Sequence, residues 1–378
     1  MKNQLSNLEA AFFEEAQKLC RSAMENTHGL SEAFQYCEGL FPTFALSEFS
    51  RIDKEITDCW VKRAKQELLV NRLDCAQFDS FALSMWRFSR RCRKTISDIL
   101  WAEGLSVCLF GVPTLVDHLP SGPGVMGNLL IDISSSLDVD QKKVFHLSYD
   151  INLLDGSEFS EAFDVCVLDP PWYPENYRKW IDVASFYCKK GGILAFPLLG
   201  RMTRPTADQD RREILAFCEA KGLEVKVYSG LVLYDLPSFE RSMLLRSGVP
   251  PIEWKRADLV LARRRDRKSI DEGERGKWIG NARPVKPIRQ FEVQNQLVDV
   301  VVDRWHGSEA DLVRAPRGGY WMKTPSRREE GVADCNVFVS SGARFISDRP
   351  FELASALQKM EGTQAELVSV GFPGDVFS

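Results

Sequence analysis

The segment DVCVLDPPWY, residues 164–173, joins an apolar run to a turn made of an acid, two prolines and two aromatic residues. A short apolar run bounded by turn residues predicts a buried β-strand. In open α/β sheets, ligands bind at the carboxyl ends of the strands. The segment therefore predicts a strand whose end carries a binding site.

Similar apolar runs alternate with helical patterns from about residue 105 onward. Strands that alternate with helices predict an α/β domain with a mostly parallel sheet. Two stretches, residues 174–190 and 208–221, are expected to be helices of this domain. The last two runs, SMLLRS and DLVLARR, are expected to form a hairpin at one edge of the sheet.

The chain on either side of this domain has a different pattern. Residues 44–73 carry one helical stripe of apolar side chains, and residues 81–99 place a second stripe on one face of another helix. Beyond a charged linker after Arg265, strand-like runs and one helical run follow. We expect a helical region over 1–78, an α/β domain over 79–265 and a small α+β region over 266–378.

Composition restricts the class of protein further. The 378 residues include 49 basic and 53 acidic side chains, for a net charge of −4. No apolar run reaches the ~20 residues of a membrane helix, and the N-terminus lacks a signal-peptide pattern. The ten cysteines form no Cys-x-x-Cys pair, and the histidines have no metal-ligand spacing. We expect a soluble cytoplasmic protein with reduced cysteines, no metal and no membrane partner.

The turn after the apolar run has a chemistry suited to an amine that accepts a methyl group. The Asp169 carboxylate accepts one N–H of the amine, and the Pro170 carbonyl accepts another. Pro171 completes a rigid turn that donates nothing to a neighbouring strand. Trp172 offers a flat face for a base or a cation, and Tyr173 extends the aromatic surface. Two fixed acceptors would aim the nitrogen lone pair at an electrophile.

The chain here resembles a known family, the N6-adenine methyltransferases with an Asp-Pro-Pro-aromatic motif, which includes elongation-factor lysine methyltransferases. The resemblance covers about residues 81–246 and consists of five elements in the family's order around DPPW. The chain departs from the family pattern at Gly111 and Val112 before the shared Pro-Thr-Leu, at Asp132, which is displaced by about one position, and at Ser238. The matching residues are Trp86, Thr95, Pro113, Thr114, Leu115, Asp132, Tyr149, Asp150, Asn152 and Phe239.

The resemblance implies a class I, Rossmann-like methyltransferase fold with a seven-stranded sheet, and S-adenosyl-L-methionine as cofactor. Pro113 and Thr114 would border the methionine part of the cofactor. Asp132 would accept the ribose hydroxyls, and Asp150 would bind near the adenine. Phe196 would wall the pocket at the next strand end. No Gly-x-Gly-x-Gly loop follows the first strand, and the family lacks that loop too.

Three classes of function follow for the chain. The leading one is methyl transfer to an amino nitrogen, with adenine N6 of nucleic acid favoured slightly over a protein lysine. The second is a non-catalytic methyltransferase-fold scaffold or sensor. A nicotinamide enzyme is disfavoured, because the Gly-x-Gly-x-x-Gly turn is absent.

Basic and aromatic residues outside the motif are candidates for contacting the substrate. Arg87, Arg90 and Arg91 belong to a basic cluster that we place on the second helix. Such a cluster is more typical of a solvated face than of a nucleic-acid contact. The C-terminal region supplies further candidates, namely Trp305, His306, Arg317, Tyr320, Trp321 and Lys323.

Overall fold

The computed structural model describes residues 2–70, 86–101, 106–119, 127–132, 139–151, 154, 159–237, 240–241, 244–245, 247–265, 288–293, 296–301, 313–314, 337–339, 344–346, 353 and 357. None of the helices within these ranges is long and apolar enough to cross a membrane. No group of His, Cys, Asp or Glu within the same ranges has the arrangement of a metal site.

The described part of the N-terminal region contains four helices: α1 (Lys2–Asn26), α2 (Leu30–Tyr36), α3 (Pro42–Ile52) and α4 (Lys54–Val70). The single helical stripe expected over 44–73 is therefore divided in two. The backbone of Asp53 is extended, with φ −150°, and its Oδ1 accepts a hydrogen bond from the Ile56 amide at 3.0 Å. Asp53 thus caps the start of α4, which ends the continuous helix.

The second predicted helix also begins later than expected. Helix α5 spans Arg90–Leu100, and the two-residue strand β1 (Arg87–Phe88) precedes it. Ser89 separates them, because its side chain accepts a hydrogen bond from the Cys92 amide and caps the helix. Placing Arg87 on the helix was therefore wrong, since Arg87 lies on a strand.

The α/β domain continues through strands and helices that surround the DPPW segment. Its elements are β2 (Val107–Phe110), a 3₁₀ helix (Pro113–His118), β3 (Leu129–Asp132), β4 (Phe145–Ser148), β5 (Phe163–Leu168), α6 (Pro174–Tyr187), β6 (Cys188–Leu199), α7 (Ala207–Ala220), β7 (Leu223–Asp235) and β8 (Arg256–Arg264).

These strands form one sheet in the order β1-β7-β8-β6-β5-β2-β3-β4. Strands β2 to β6 run parallel, whereas β8 lies antiparallel between β6 and β7. The α/β class I methyltransferase fold is confirmed by this arrangement. The sheet has eight strands rather than seven, because β1 pairs antiparallel with the end of β7.

The edge hairpin predicted from the last two runs was placed wrongly. The partner of β8 is β7, and their register joins Leu223 to Arg264. Within SMLLRS, the described residues Leu244 and Leu245 are helical. Leu244 is fully buried and packs with the N-terminal helices.

The sheet is covered on both faces, and the alternation along each strand divides its side chains between two cores. Cys166 and Leu168 of β5 pack with α6 and α7, whereas Val165 and Val167 pack with α5 and the 3₁₀ helix. A third core joins the N-terminal helices to the segment just before β8, through Trp254 and neighbours. This last core supports one wall of the candidate site.

The described residues of the C-terminal region contain five strands, namely β9 (Ile288–Val293), β10 (Gln296–Val301), β11 (Val313–Arg314), β12 (Val337–Val339) and β13 (Arg344–Ile346). These strands form a second, antiparallel sheet in the order β11-β13-β12-β10-β9. The predicted runs QLVDVVV and NVFV contribute β10 and β12. The residues proposed there as substrate contacts, from Trp305 to Lys323, lie outside the described residues. The domain boundaries stay predictions.

Candidate active site

The DPPWY segment lies where strand β5 ends and helix α6 begins. The Asp169 amide donates to the Phe110 carbonyl at 3.1 Å, which ties the segment to the end of the neighbouring strand β2. The Tyr173 amide turns back to the Pro171 carbonyl at 2.6 Å, and Pro174 opens α6. Proline at the first helical position is favourable, because its missing N–H has no partner there anyway. The four motif residues are thus held between two parallel strands and a helix.

The Asp169 carboxyl contacts a tyrosine that lies on another strand of the same sheet. The Tyr234 hydroxyl, on β7, donates a hydrogen bond to Asp169 Oδ1 at 2.7 Å. Burial raises the pKa of Asp169 to about 7, although the Tyr234 hydrogen bond and the charge of Lys255 both lower it. The second carboxyl oxygen has no hydrogen-bond partner among the described residues. Asp169 is therefore poised near neutral pH with capacity to accept another donor.

Three aromatic rings enclose the ammonium of Lys255 beside this carboxyl. The Lys255 Nζ lies 4.0 Å from the ring centroid of Trp86, 4.2 Å from that of Trp172 and 5.1 Å from that of Tyr234. The rings of Trp172 and Tyr234 meet edge to face at 5.6 Å. We call these three rings the aromatic cage. Cations within about 6 Å of ring centroids are attracted by the negative ring faces.

The N-terminal helices support the cage from behind. Trp86 packs edge to face against Trp254 at 5.9 Å, and Trp254 packs in the same manner against Phe41 at 5.4 Å. Phe41 directly precedes helix α3. The helical region thus fixes one wall of the site and does not merely precede the α/β domain.

A second carboxyl, that of Glu240, lies within the electrostatic reach of Lys255. Glu240 is 4% exposed, and its Oε1 has no hydrogen-bond partner within the described parts of the chain. Burial raises the pKa of Glu240 to about 7, and the charge of Lys255 lowers it. The Lys255 ammonium therefore lies among three rings and within reach of two carboxyls.

An arginine braces the aromatic end of the motif. The Arg204 Nη2 donates to the Trp172 carbonyl at 2.5 Å, and the guanidinium lies 5.1 Å from the ring centroid of Tyr173. Its Nε donates to Asp210 Oδ2 at 2.8 Å, and the Thr206 hydroxyl donates to the same oxygen at 3.1 Å. Because the guanidinium is a rigid fork, one side chain holds Trp172, Tyr173 and α7 in a fixed relation.

The residues proposed to hold a cofactor follow the ends of the adjacent parallel strands. Pro113 and Thr114 begin the 3₁₀ helix after β2, and both are partly buried. Asp132 ends β3 and is buried. The buried Asp150 follows β4, whose register pairs Asp132 with Ser148. These four positions therefore lie along one edge of the sheet, next to the DPPW turn.

Gly111 and Phe196 flank this edge in different ways. Gly111 has φ +67°, and a Cβ there would lie 3.1 Å from Trp180 Cη2. Glycine therefore allows the turn after β2 to pack on α6. Phe196 is fully buried on β6 and packs against the ring of Tyr177 at 6.0 Å. The structure places Phe196 in the sheet core, and its role as a pocket wall stays a prediction.

The predicted basic substrate contacts divide into two groups. Arg90 and Arg91 lie exposed on the first turn of α5, together with Lys94. Arg93 of the same helix approaches Asp235 Oδ2 at 3.9 Å. Arg87 lies on β1, opposite Asp235 in the strand register. Only the first group presents charge on an exposed helix face.

Sequence reasoning missed four residues around the motif, namely Tyr234, Lys255, Glu240 and Arg204. Tyr234 and Lys255 act on Asp169, Arg204 binds the Trp172 carbonyl, and Glu240 interacts with the charge of Lys255. Tyr234 is separated from Asp169 by 65 positions, and only the sheet brings them together. Among the resemblance residues, Trp86 does reach the site, as a wall of the aromatic cage.

Comparison with known proteins gives likeness in fold only. No family model matches the sequence, and no curated protein matches it. Among solved structures, a branched-chain polyamine synthase from Thermus thermophilus is 11% identical, with TM-score 0.46 over 67% of this chain and 88% of its own. The N-methyltransferase NodS from Bradyrhizobium japonicum is 15% identical, with TM-score 0.30 over 54% of this chain and 96% of its own. A Thermotoga maritima O-methyltransferase is 14% identical, with TM-score 0.32 over 55% and 72%.

The class of the chain is therefore defined by its own topology, namely a class I methyltransferase sheet with a DPPW turn at the end of β5. The hydrogen bonds, charges and aromatic contacts around Asp169 carry information on function that the fold alone does not give.

Proposed function

We propose that the protein is an S-adenosylmethionine-dependent methyltransferase that methylates an amino nitrogen held at Asp169. The observation that carries the proposal is the Asp169 carboxyl at the end of β5, with one oxygen fixed by Tyr234 and the other able to accept an N–H. A donor fixed on one oxygen orients the carboxylate before the acceptor binds.

The strand ends beside Asp169 have the chemistry that this cofactor requires. Asp132 and Asp150 supply buried carboxylates suited to hydroxyl and amino donors, and the turn at Gly111 has no side chain. When bound, S-adenosylmethionine supplies an electrophilic methyl group on a sulfonium. Pro113 and Thr114 would border its methionine part.

The residues of the motif orient and hold the acceptor. Asp169 accepts one N–H and the Pro170 carbonyl accepts a second, which aims the nitrogen lone pair toward the cofactor edge of the sheet. Trp172 limits the position of the acceptor from one side. The proton that leaves the methylated nitrogen passes to Asp169 or to water, because a carboxyl with a pKa near 7 both accepts and releases it.

The first candidate acceptor is adenine N6 in nucleic acid. The exposed basic face of α5, with Arg90, Arg91 and Lys94, lies on the same domain and could contact phosphates. Trp172 is partly exposed and aromatic, as a platform for an unstacked base must be. An exocyclic amine of this kind arrives neutral and needs orientation more than a base.

The second candidate acceptor is a protein lysine. The burial of Asp169 favours it, because burial raises the pKa of this carboxyl to about 7, which suits a general base that removes the ammonium proton. The cytoplasmic location and a substrate-choosing role for the N- and C-terminal regions remain part of the proposal.

The experiment is methyl transfer from labelled S-adenosylmethionine, measured separately with DNA, RNA and a protein extract. Label in nucleic acid supports adenine, and label only in protein supports lysine and excludes adenine. Asp169→Ala should abolish transfer, whereas Asp208→Ala, an exposed residue of α7, should not change it. Calorimetry that finds no binding of the cofactor or its demethylated product would leave the scaffold function instead.

A further inference from the structure

Lys255 is held both at its backbone and at the tip of its side chain. At the backbone, the Lys255 carbonyl accepts a hydrogen bond from the Tyr234 amide at 3.1 Å. At the tip, Nζ lies within 4.0 to 5.1 Å of the three ring centroids of the aromatic cage. Two of those rings, Trp172 and Tyr234, belong respectively to the motif and to the donor that holds Asp169. The lysine therefore connects the parts of the site that must keep a fixed relation.

Four groups interact with the Asp169 carboxyl. Tyr234 of β7 donates to it, and Lys255, just before β8, acts on it by charge. Cys92 of α5 and Tyr177 of α6 lie within its electrostatic reach, and burial together with the Asp169 charge raises the pKa of both. Cys92 and Tyr177 are both neutral near pH 7. Lys255 is thus the positive charge that acts on Asp169 among these groups.

We propose that Lys255 is a positioning residue of the acceptor site, which holds the Trp172 indole in the cage and favours the ionised form of the Asp169 carboxyl. The consequence for methyl transfer rests on the proposed function, whereas the relation between Lys255 and Asp169 does not. The negative faces of the three rings attract the Lys255 cation, and the attraction is stronger here than at a fully exposed site because these residues are at least partly buried. The same charge favours the ionised form of a nearby carboxyl.

The first test measures the titration of Asp169 directly, without cofactor or acceptor. Carboxyl carbons of labelled aspartate are followed by NMR across pH, and Asp169→Asn assigns the signal. Lys255→Met should move the titration upward by roughly one pH unit, because an opposite charge is removed. In Lys255→Arg, Asp169 should titrate as in the parent, because a positive charge stays in the aromatic cage.

A matched control is Lys226→Met. Lys226 is exposed on β7, and its Nζ lies 4.7 Å from the ring centroid of Tyr228, outside the cage. This variant also loses a lysine over an aromatic ring, and it should leave the Asp169 titration unchanged. Near-ultraviolet circular dichroism should change in Lys255→Met and not in the control, because only the first releases Trp86 and Trp172.

The second test uses catalysis once an acceptor is known. In Lys255→Met the acid limb of kcat/KM should move upward with the NMR titration, giving roughly a tenfold loss well below pH 7 and recovery in alkali. Lys255→Arg should follow the parent profile. If the parent chain transfers no methyl group, the proposed function fails, while the NMR titration still tests Lys255.

Three results would overturn the inference. The first is an Asp169 titration that is the same in Lys255→Met and in the parent. The second is an arginine variant that behaves like the methionine variant, which would indicate packing and not charge. The third is a methyl group found on Lys255 itself by peptide mass spectrometry after incubation with S-adenosylmethionine, because Lys255 would then be an acceptor.

Discussion

Replacing Tyr234 with phenylalanine removes one hydroxyl and leaves the ring. That hydroxyl donates to Asp169 Oδ1 at 2.7 Å, and Tyr234 is 1% exposed. The ring still packs edge to face against Trp172 at 5.6 Å, so the aromatic cage keeps its shape. The variant therefore isolates the hydrogen bond that favours the charged form of the carboxyl.

The magnitude follows from the charge on the acceptor. A hydrogen bond to a charged group contributes about 1.5–3 kcal/mol. One pKa unit corresponds to about 1.4 kcal/mol, so the pKa of Asp169 should rise by roughly one to two units. Starting from about 7, Asp169 would titrate between about 8 and 9. The charged fraction at pH 7 would then fall from about one half to roughly one tenth or one hundredth.

The assay is methyl transfer across pH 6–10, paired with NMR titration of Asp169. We expect a roughly 5- to 50-fold loss of kcat/KM at pH 7 that is regained as the pH approaches 10. Tyr177→Phe is the control, because this buried tyrosine donates to the Pro197 carbonyl at 2.7 Å and not to Asp169. A Tyr234→Phe profile that is uniformly lower at all pH values, with an unmoved Asp169 titration, would refute the reasoning.

Further predictions concern stability and the brace on the motif. Asp169→Asn should stabilise the fold above pH 7 and change its stability little below pH 4. Folding raises the pKa of this carboxyl from 3.8 to about 7, so the parent loses stability across that interval as the pH rises. Urea unfolding at pH 4, 6 and 8 measures the difference between the two chains, and a difference that is independent of pH would contradict the prediction. Arg204→Lys should lower kcat/KM without weakening cofactor binding, because lysine lacks the guanidinium fork that joins the Trp172 carbonyl to Asp210. Calorimetry measures cofactor binding separately from turnover, and equal losses of cofactor affinity and of kcat/KM would contradict this role. Gly111→Ala should destabilise the chain by about 1–3 kcal/mol, because φ is +67° and the new Cβ would lie 3.1 Å from Trp180; unchanged urea unfolding would contradict it.

The parallel part of the sheet was predictable because its strands are short, apolar and local. The runs around Val107, Leu129 and Val165 each formed the expected strand, and the turn at Asp169 followed the predicted strand end. The buried Asp132 is the last residue of β3 and the buried Asp150 follows β4, at the strand ends to which the sequence assigned them. Periodicity and turn chemistry are properties of a few neighbouring residues, so one sequence suffices for them.

The antiparallel half was not predictable in the same way. Strand β7 carries an irregularity in which five positions, from Tyr228 to Val232, oppose the three positions from Ala257 to Leu259 on β8. Gly230, with φ +59°, lies inside it, and its carbonyl accepts a hydrogen bond from Arg256 Nε at 2.6 Å. Such a bulge changes the register between distant segments, and no local pattern specifies which residue then faces the site. Tyr234 lies just beyond it.

The two halves of the sheet make different contributions to the candidate site. The parallel strands supply Asp169 and the strand ends proposed for the cofactor, whereas β7 and the segment before β8 supply Tyr234 and Lys255. Tyr234 and Lys255 are joined by a backbone hydrogen bond, so a shift of β7 against β8 would move both residues together. Burial raises the pKa of Asp169, and the two groups that lower it come from a part of the sheet that need not touch the proposed cofactor. A substitution in β7 or in the segment before β8 could therefore change the pKa of Asp169 while the DPPW residues and the strand ends proposed for the cofactor stay the same.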